Sequence, residues 1–238
     1  MSSNILVFGA HPDDAELGVG GIIAKLTGGG HAVTIADMTA GEMSSRGTVE
    51  ERRLEAAESG KILGIKERVC LELPDSKLEN NEAQRLEIVA CIRRFTPLFI
   101  FAPMAPDRHP DHSVAHALVR DAHFLSGLHK LKTDVPPHRA ERIYYYHAYY
   151  ESLTTPTLVV NVSETYTQKI NALCAYVSQL YHPGYSGVET HVSSKAFWDD
   201  IEVRARFWGR RIGVEFGEPL YTELPLGVNL PWESDLQE

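Results

Sequence analysis

The first half of the chain alternates short apolar runs with longer amphipathic segments, four times over. The apolar runs are the predicted strands, at residues 4–9, 31–37, 68–73 and 98–102. The segments that follow them are the predicted helices, at residues 16–26, 49–63, 81–95 and 111–125. This alternation is typical of an α/β fold with a parallel sheet and helices on both faces.

The pattern changes after Pro136-Pro137, where the predicted elements become more varied. A strand with five tyrosines at residues 142–150 and a strand at 157–162 precede a long helix that runs from 163 to about 180. The later segments are a loop at 181–192, long enough to be a lid, a helix at 195–211 and a closing segment at 213–221. We predict one domain over residues 1–238, with a parallel α/β core at 1–130 and a C-terminal part at 131–238 that completes the site.

Composition restricts the partners of the chain. Its 238 residues carry a formal net charge of −9, which argues against a general nucleic-acid or membrane-surface binder. No apolar run is long enough for a membrane span, and the N-terminus leads straight into a strand without a secretory signal. The cysteines are few, odd in number and widely spaced, which suits a reducing compartment. We therefore expect a cytoplasmic protein.

Two histidine- and aspartate-rich stretches follow predicted strands. The first is Gly9-Ala10-His11-Pro12-Asp13-Asp14-Ala15-Glu16, and the second is Asp107-Arg108-His109-Pro110-Asp111-His112. Ligands of open α/β sheets bind at the carboxyl ends of the strands, so both stretches are expected at one edge of the sheet. Together they predict a metal site, although each alone could be a turn in which aspartate side chains bind backbone amides.

The residue types of these two stretches suit a hydrolytic metal centre. Zinc in such centres takes three ligands from His, Asp and Glu and keeps one position open, and His11, Asp14 and His112 could supply them. Asp13 is then left beside the metal as a candidate general base. His109 is also left over, and Asp111 could hydrogen-bond its ring and favour its charged form, which would suit amide hydrolysis. His112 and His116 could instead both be ligands, or both be solvated.

Other features allow more than one interpretation. The glycines at 28–30 follow a predicted helix and open no Gly-x-Gly-x-x-Gly pattern, so a nucleotide-binding oxidoreductase is disfavoured. Thr48 and Glu51 predict a capping box for the helix at 49–63. Arg52, in the first turn of that helix, is either part of a solvated face or a contact for an anionic substrate group.

Ala10-His11-Pro12-Asp13-Asp14 together with His109-Pro110-Asp111-His112 resembles the LmbE-like, or PIG-L-type, zinc-dependent N-deacetylases over nearly the whole chain. The resemblance implies a Rossmann-like three-layer sandwich with a C-terminal extension, and removal of an acetyl group from a glucosamine-type sugar. It implies His11, Asp14 and His112 as zinc ligands and Asp13 as general base. It also implies His109, paired with Asp111, as the electrostatic catalyst or acid. Iron or another divalent ion could serve the same ligands.

The stretches 15–18, 39–42, 46–48 and 51–52 resemble more closely the family branch that makes bacillithiol and acts on N-acetylglucosaminyl malate. A dianionic malate needs a basic contact, for which Arg52 is the first candidate, with Arg108 and Arg204 behind it. By the same resemblance the 44–46 loop, including Ser45, is expected to contact the sugar hydroxyls. One of the tyrosines at 144–146, assigned here as Tyr146, is expected to donate to the oxyanion. The family often forms hexamers, so a homo-oligomer is expected. The alternatives are a deacetylase of chitooligosaccharides or other amino-sugars, and a non-catalytic metal- or sugar-binding module.

Overall fold

The computed structural model describes residues 2–148 and 154–227, and its centre is a five-stranded parallel sheet. The strands are β1 Asn4–Gly9, β2 Ala32–Asp37, β3 Glu67–Cys70, β4 Phe99–Pro103 and β5 Arg142–Tyr146. They stand in the order β3-β2-β1-β4-β5, so the chain changes direction across the sheet between β1 and β4. Such a switch point opens a crevice at the carboxyl ends of the strands. The predicted α/β class with a mostly parallel sheet is confirmed.

Helices on both faces of the sheet enclose two apolar cores. The first core is built with α1 Asp14–Gly28, α2 Val49–Leu63, α5 Tyr166–Cys174 and α6 Lys195–Arg211, and the second with α3 Glu82–Phe95 and α4 Pro110–Ser126. The central strand β1 feeds both cores, because successive side chains of a strand point to opposite faces: Ile5 belongs to the first and Leu6 to the second. Among the described helices, none combines the length and the apolarity needed to cross a membrane.

Local sequence sets the ends of α2 and α6 at the predicted residues. The Thr48 hydroxyl accepts from the Glu51 backbone N–H at 3.1 Å, and the Glu51 carboxylate accepts from the Thr48 N–H at 2.7 Å. This capping box satisfies two of the amides that a helix start leaves without partners. At the start of α6 the Ser194 hydroxyl accepts from the Phe197 N–H. Both predicted helix ranges, 49–63 and 195–211, are confirmed.

The helix predicted at 163–180 is shorter in the structure and ends at Cys174. The residues beyond it turn away because their polar groups bind other elements. The Tyr176 hydroxyl donates to Glu16 at 2.9 Å, and Ser178 donates from its N–H and its hydroxyl to the Glu55 carboxylate at 2.6 and 2.7 Å. These contacts lie far away in the sequence, so the helical periodicity of the segment does not reveal them.

The C-terminal part adds a two-stranded antiparallel sheet, β6 Leu158–Asn161 and β7 Gly217–Leu220. A pair of hydrogen bonds between Tyr145 and Tyr221 joins it to the edge strand β5. The strand predicted at 142–150 ends at Tyr146 in the structure, and its last two residues, 149 and 150, lie outside the described residues.

Tyr146 is part of the apolar core. Its side chain is fully buried, its hydroxyl donates to the Phe8 carbonyl at 2.7 Å, and its ring lies against Gly18, where a Cβ atom would collide with it. The hydroxyl therefore has its partner inside the fold, between β1 and β5. Tyr146 is not among the residues that line the candidate cleft described below, and its substrate contact stays a prediction that this position does not favour.

A buried ion pair, Lys169 with Glu218, binds the backbone at a break in helix α1. The helix leaves α geometry at Val19, with φ −137° and ψ 23°. The Glu218 carboxylate accepts from the N–H groups of Gly21 and Ile22 at 3.0 and 2.8 Å. The Lys169 ammonium donates to the Leu17 carbonyl at 2.8 Å and to Glu218 at 2.6 Å. The backbone groups that lose their helical partners at the break thus hydrogen-bond to Lys169 and Glu218, and these two side chains also pair with each other.

Replacing the buried lysine should test how much this ion pair contributes to stability. In Lys169→Met, Glu218 becomes a buried charge without its cation, so the free energy of unfolding should fall by about 3 kcal/mol or more. Urea unfolding followed by circular dichroism measures the change. Lys195→Met is the matched control, because Lys195 pairs with Asp199 on the exposed face of α6. Equal unfolding midpoints for the two variants would contradict the assigned role.

Candidate active site

The turn between β1 and α1 fixes two carboxylates at the switch point of the sheet. Asp13 has φ 108° and ψ −25°, a backbone conformation that non-glycine residues rarely adopt. The Asp14 carboxylate accepts from the His11 N–H at 2.8 Å, and the Asp13 carbonyl accepts from the Leu17 N–H at 2.9 Å. These bonds hold the strained turn, as is common where side chains must be placed accurately.

The loop after β4 brings the second motif to the same place. The His109 N–H donates to the Asp107 carboxylate at 2.8 Å, and His109 is the N-cap of α4, with Pro110 as the first helical residue. Because β1 and β4 are neighbours, the two loops meet. The ring centroid of His11 is 4.6 Å from that of His109 and 5.6 Å from that of His112.

His11, Asp14 and His112 form a converging set of donor atoms. One Asp14 carboxylate oxygen lies 3.1 Å from His112 Nε2, and the other lies 3.5 Å from His11 Nδ1. All three side chains are buried, so the site is shielded from bulk water. His109 also places a ring nitrogen within 4.8 Å of nitrogens of His11 and His112. Two imidazoles and a carboxylate are a donor set that suits a divalent transition metal, so the residues fit such an ion.

Carboxylates behind the imidazoles orient them. Asp107 lies 3.2 Å from His112 Nδ1, on the side away from Asp14, and Asp75 and Asp111 lie 3.2 and 3.4 Å from His11 Nε2. A carboxylate on the second ring nitrogen is the usual support of a metal-binding histidine. Burial alone would lower the pKa of His112, but Asp14 and Asp107 raise it to about 9.

Asp13 lies in the same cleft beside a buried arginine. Burial raises the pKa of Asp13 to about 7, against the opposing effect of Arg52, whose Nη2 is 3.5 Å from the carboxylate. Arg52 also donates to the carbonyls of Pro12 at 2.8 Å and Gly41 at 3.1 Å. Gly41 has φ +68°, and a Cβ atom there would collide with the guanidinium. Arg52 therefore positions the turn and Asp13 through its two terminal nitrogens, and its Nε is buried without a hydrogen-bond partner among the described residues.

The predicted pairing of His109 with Asp111 is wrong. His109 Nδ1 accepts from the backbone N–H of Asp111 at 3.3 Å, as a helix cap does, while the Asp111 carboxylate faces His11 and accepts from the Ser76 N–H at 2.7 Å. Burial and the neighbouring His11 and His112 lower the pKa of His109. The cap bond makes Nδ1 an acceptor, so the neutral ring carries its proton on Nε2.

The remaining substrate predictions divide between the cleft and other places. Arg108 is exposed and lines the cleft. Ser45 is exposed, whereas its neighbour Ser44 lines the cleft. Arg204 lies on α6, donates to the Ala148 carbonyl and lines a different small cavity beside Lys169 and Glu218. The structure therefore does not bring Arg204 to the cleft, and its contact with the substrate stays a prediction that this position does not favour.

Sequence reasoning predicted that the C-terminal part completes the site, with a lid at 181–192, but it did not identify the residues that form this wall of the cleft. This wall and the 75–76 turn add Asp75, Ser76, Gln179, Thr190, His191 and Val192. Arg46 fixes the wall, since its Nε donates to the Ser178 carbonyl at 2.7 Å, its Nη1 donates to the Val188 carbonyl at 2.8 Å, and its guanidinium stacks on Tyr185. The predicted lid segment thus borders the site, and no local motif marks His191 as a site residue.

Comparison with known proteins places this geometry in a family. The sequence model of the family "PIG-L: GlcNAc-PI de-N-acetylase" matches residues 6–123. The diacetylchitobiose deacetylase of Thermococcus kodakarensis is 31% identical over 190 residues, which is 74% of this chain and 69% of that protein. A Bacillus cereus protein named "Probable N-acetyl-alpha-D-glucosaminyl L-malate deacetylase 2" is 30% identical over 226 residues, which is 87% of this chain and 98% of that protein.

The fold agrees with a solved structure from a thermophile. A conserved protein of Thermus thermophilus superimposes with a TM-score of 0.86 and 37% identity, over 97% of this chain and 98% of that one. The range that the family model matches includes both strand-end motifs. The chain therefore belongs to the PIG-L, or LmbE-like, family and is a hydrolytic N-deacetylase.

Proposed function

We propose that this deacetylase removes the N-acetyl group of N-acetylglucosaminyl malate with zinc as its metal. The observation that carries the proposal is the meeting, in one cleft, of the His11–Asp14–His112 donor set with Asp13 and a neutral His109. Amide hydrolysis needs metal ligands, a general base and a hydrogen-bond donor to the carbonyl oxygen. A non-catalytic binding module would have no use for the last two.

The metal held by His11, Asp14 and His112 would supply a Lewis acid that polarises the amide carbonyl and makes water easier to deprotonate. Asp13 takes the proton of the attacking water as its oxygen adds to the acetyl carbon. The same carboxyl group then gives that proton to the sugar nitrogen as the carbon–nitrogen bond breaks, which releases the free amine and acetic acid, and the acid ionises to acetate in water. The raised pKa of Asp13 suits a group that must both accept and return a proton near neutral pH.

His109 stabilises the charge that develops on the carbonyl oxygen. Its Nδ1 is occupied by the Asp111 N–H, so its Nε2–H is the group available to donate into the cleft. A donor fixed in this way needs no reorganisation during the reaction. This role replaces the cationic acid that the sequence suggested.

The malate assignment rests on Arg108 and on the Bacillus cereus relative, which aligns over 98% of its length. Arg52 was the first candidate for the anionic group, but it is committed to Asp13 and to two backbone carbonyls. Arg108, exposed at the cleft, is better placed for a carboxylate that extends from the sugar. The second candidate substrate is a chitooligosaccharide, favoured by the 31% identity to the diacetylchitobiose deacetylase. A homo-oligomer and a cytoplasmic location stay predictions.

Asp13→Asn should retain the metal and lose turnover. The amide keeps the size of the side chain but cannot accept the proton of water, so kcat should fall by about 10² to 10⁴. Acetate release and the zinc content of the purified protein measure the two properties separately. A variant with a near-normal rate would eliminate Asp13 as the base, and a variant without zinc would make it part of the metal site.

His109→Asn should separate catalysis from folding. Asparagine is a good N-cap, so the start of α4 and the unfolding midpoint should be preserved. Its amide is too short to replace Nε2–H, so kcat should fall by about 10² to 10³, with a smaller effect on KM. A kcat that stays within a few-fold of the parent enzyme would contradict the assigned donor.

Arg108→Gln should act on one substrate class only. For N-acetylglucosaminyl malate the loss of a charge-assisted contact should raise KM about tenfold, while kcat/KM for diacetylchitobiose should stay unchanged. Arg94→Gln, an exposed change on α3, is the matched control. Equal effects of Arg108→Gln on both substrates would remove the malate assignment and leave the deacetylase mechanism intact.

A further inference from the structure

A second cavity adjoins the candidate active site. It lies where β2 and β3 end and α2 begins, and we call it the α2 cavity. Its lining comprises Pro12, Asp37, Ala40, Val49, Arg53, Ala56, Ala57, Arg68, Val69 and Cys70. The mechanism proposed above uses none of these side chains.

The α2 cavity shares no lining residue with the catalytic cleft, although the two are neighbours in sequence. Pro12 lines the cavity, whereas His11 and Asp13 on either side of it line the cleft. On α2, Arg52 likewise faces the cleft and Arg53 lines the cavity. The two spaces are therefore separated by the catalytic turn itself.

Two arginines and one aspartate line the α2 cavity, and of these three Arg53 is the one at its exposed rim. Arg68 is fully engaged inside the fold, with Nε and Nη2 on the Asp37 carboxylate at 2.6 and 2.9 Å and Nη1 on Glu16 at 2.6 Å. Arg53 is 61% exposed and has an ion pair with Glu50 at 3.8 Å, in which Glu50 is itself 70% exposed. Exposed pairs of this length are weak, so Arg53 can exchange Glu50 for another anion.

The rest of the lining is mostly carbon. Proline, valine and alanine side chains form most of the wall, and the Cys70 thiol lies at an exposed position on the rim. Sites for small molecules combine such apolar walls with a few polar groups that fix orientation. The combination here suits a compact apolar body that ends in one negative charge.

We propose that the α2 cavity is a second binding site, separate from the catalytic cleft, for a small carboxylate with an apolar body. Its carboxylate pairs with Arg53, and its apolar part lies against Pro12, Val49 and Ala56. The Pro12 carbonyl accepts from Arg52, the residue that holds Asp13. A ligand in the cavity therefore touches the backbone that positions the general base.

Cys70 provides a built-in reporter for this site. Cys70 and Cys174 are both exposed, and Cys174 lies on α5, away from the cavity. The intact protein is alkylated with iodoacetamide, and mass spectrometry of its peptides then gives the alkylation rates of Cys70 and Cys174 in one sample. Hexanoate is the probe, and hexan-1-ol is its uncharged match. Hexanoate should slow the alkylation of Cys70 saturably, by about tenfold at about ten times its Kd, without slowing that of Cys174.

Two variants test the assigned contact. Arg53→Gln should abolish the advantage of hexanoate over hexan-1-ol, while Lys61→Gln, an exposed cation further along α2, should preserve it. The proposal fails if hexanoate does not protect Cys70 at concentrations well above the millimolar range. It also fails if hexan-1-ol protects equally well, if Cys174 is slowed to the same extent, or if Arg53→Gln leaves the protection unchanged.

Discussion

The structure depends on one buried guanidinium. Arg68 on β3 binds Asp37 at the end of β2 and Glu16 in the first turn of α1, and Glu16 also accepts from Ser59 on α2 and from Tyr176 beyond α5. Burying these charges is costly unless each is paired, so the network has one stable geometry. Burial opposes ionisation of Glu16, yet Arg68 lowers the pKa of this carboxyl. The catalytic turn ends where α1 begins, two residues before Glu16, and is therefore anchored through α1 to β2, β3, α2 and the segment after α5.

The sequence could predict the parts of the site that follow from strand order. His11 and His112 lie in motifs that directly follow apolar strands, and the ends of parallel strands lie on one edge of a sheet. The residue types in these motifs then limit the chemistry to a metal centre with a spare carboxylate, Asp13. Helix α2 was predictable for a similar reason, because Thr48 and Glu51 define its start within four residues of sequence.

Sequence reasoning about individual side chains was least accurate where a side chain has a hydrogen-bond partner that the sequence does not reveal. The Tyr146 hydroxyl donates to the Phe8 carbonyl, and the terminal nitrogens of Arg52 donate to the carbonyls of Pro12 and Gly41, so these groups have partners within the fold. His109 caps its own helix through Nδ1, a competing use of the ring that leaves Asp111 to support His11. The sequence specifies which groups are present, but burial and competing hydrogen bonds decide which of them remain available.

The surroundings of each aspartate also set its pKa, so chemically identical carboxyl groups differ in their protonation. Burial opposes ionisation of Asp75, yet the His11 ring and the Met43 N–H lower its pKa to about 2, and histidines likewise keep Asp14 and Asp107 ionised. Full burial raises the pKa of Asp13 to about 7, although Arg52 at 3.5 Å and the more weakly acting His11 oppose the rise. Pairs of titratable groups whose surroundings separate their pKa values are characteristic of acid–base sites. In this cleft the carboxylates that face imidazoles have lowered pKa values, and Asp13, the proposed base beside the arginine, has the raised pKa that its proposed role requires.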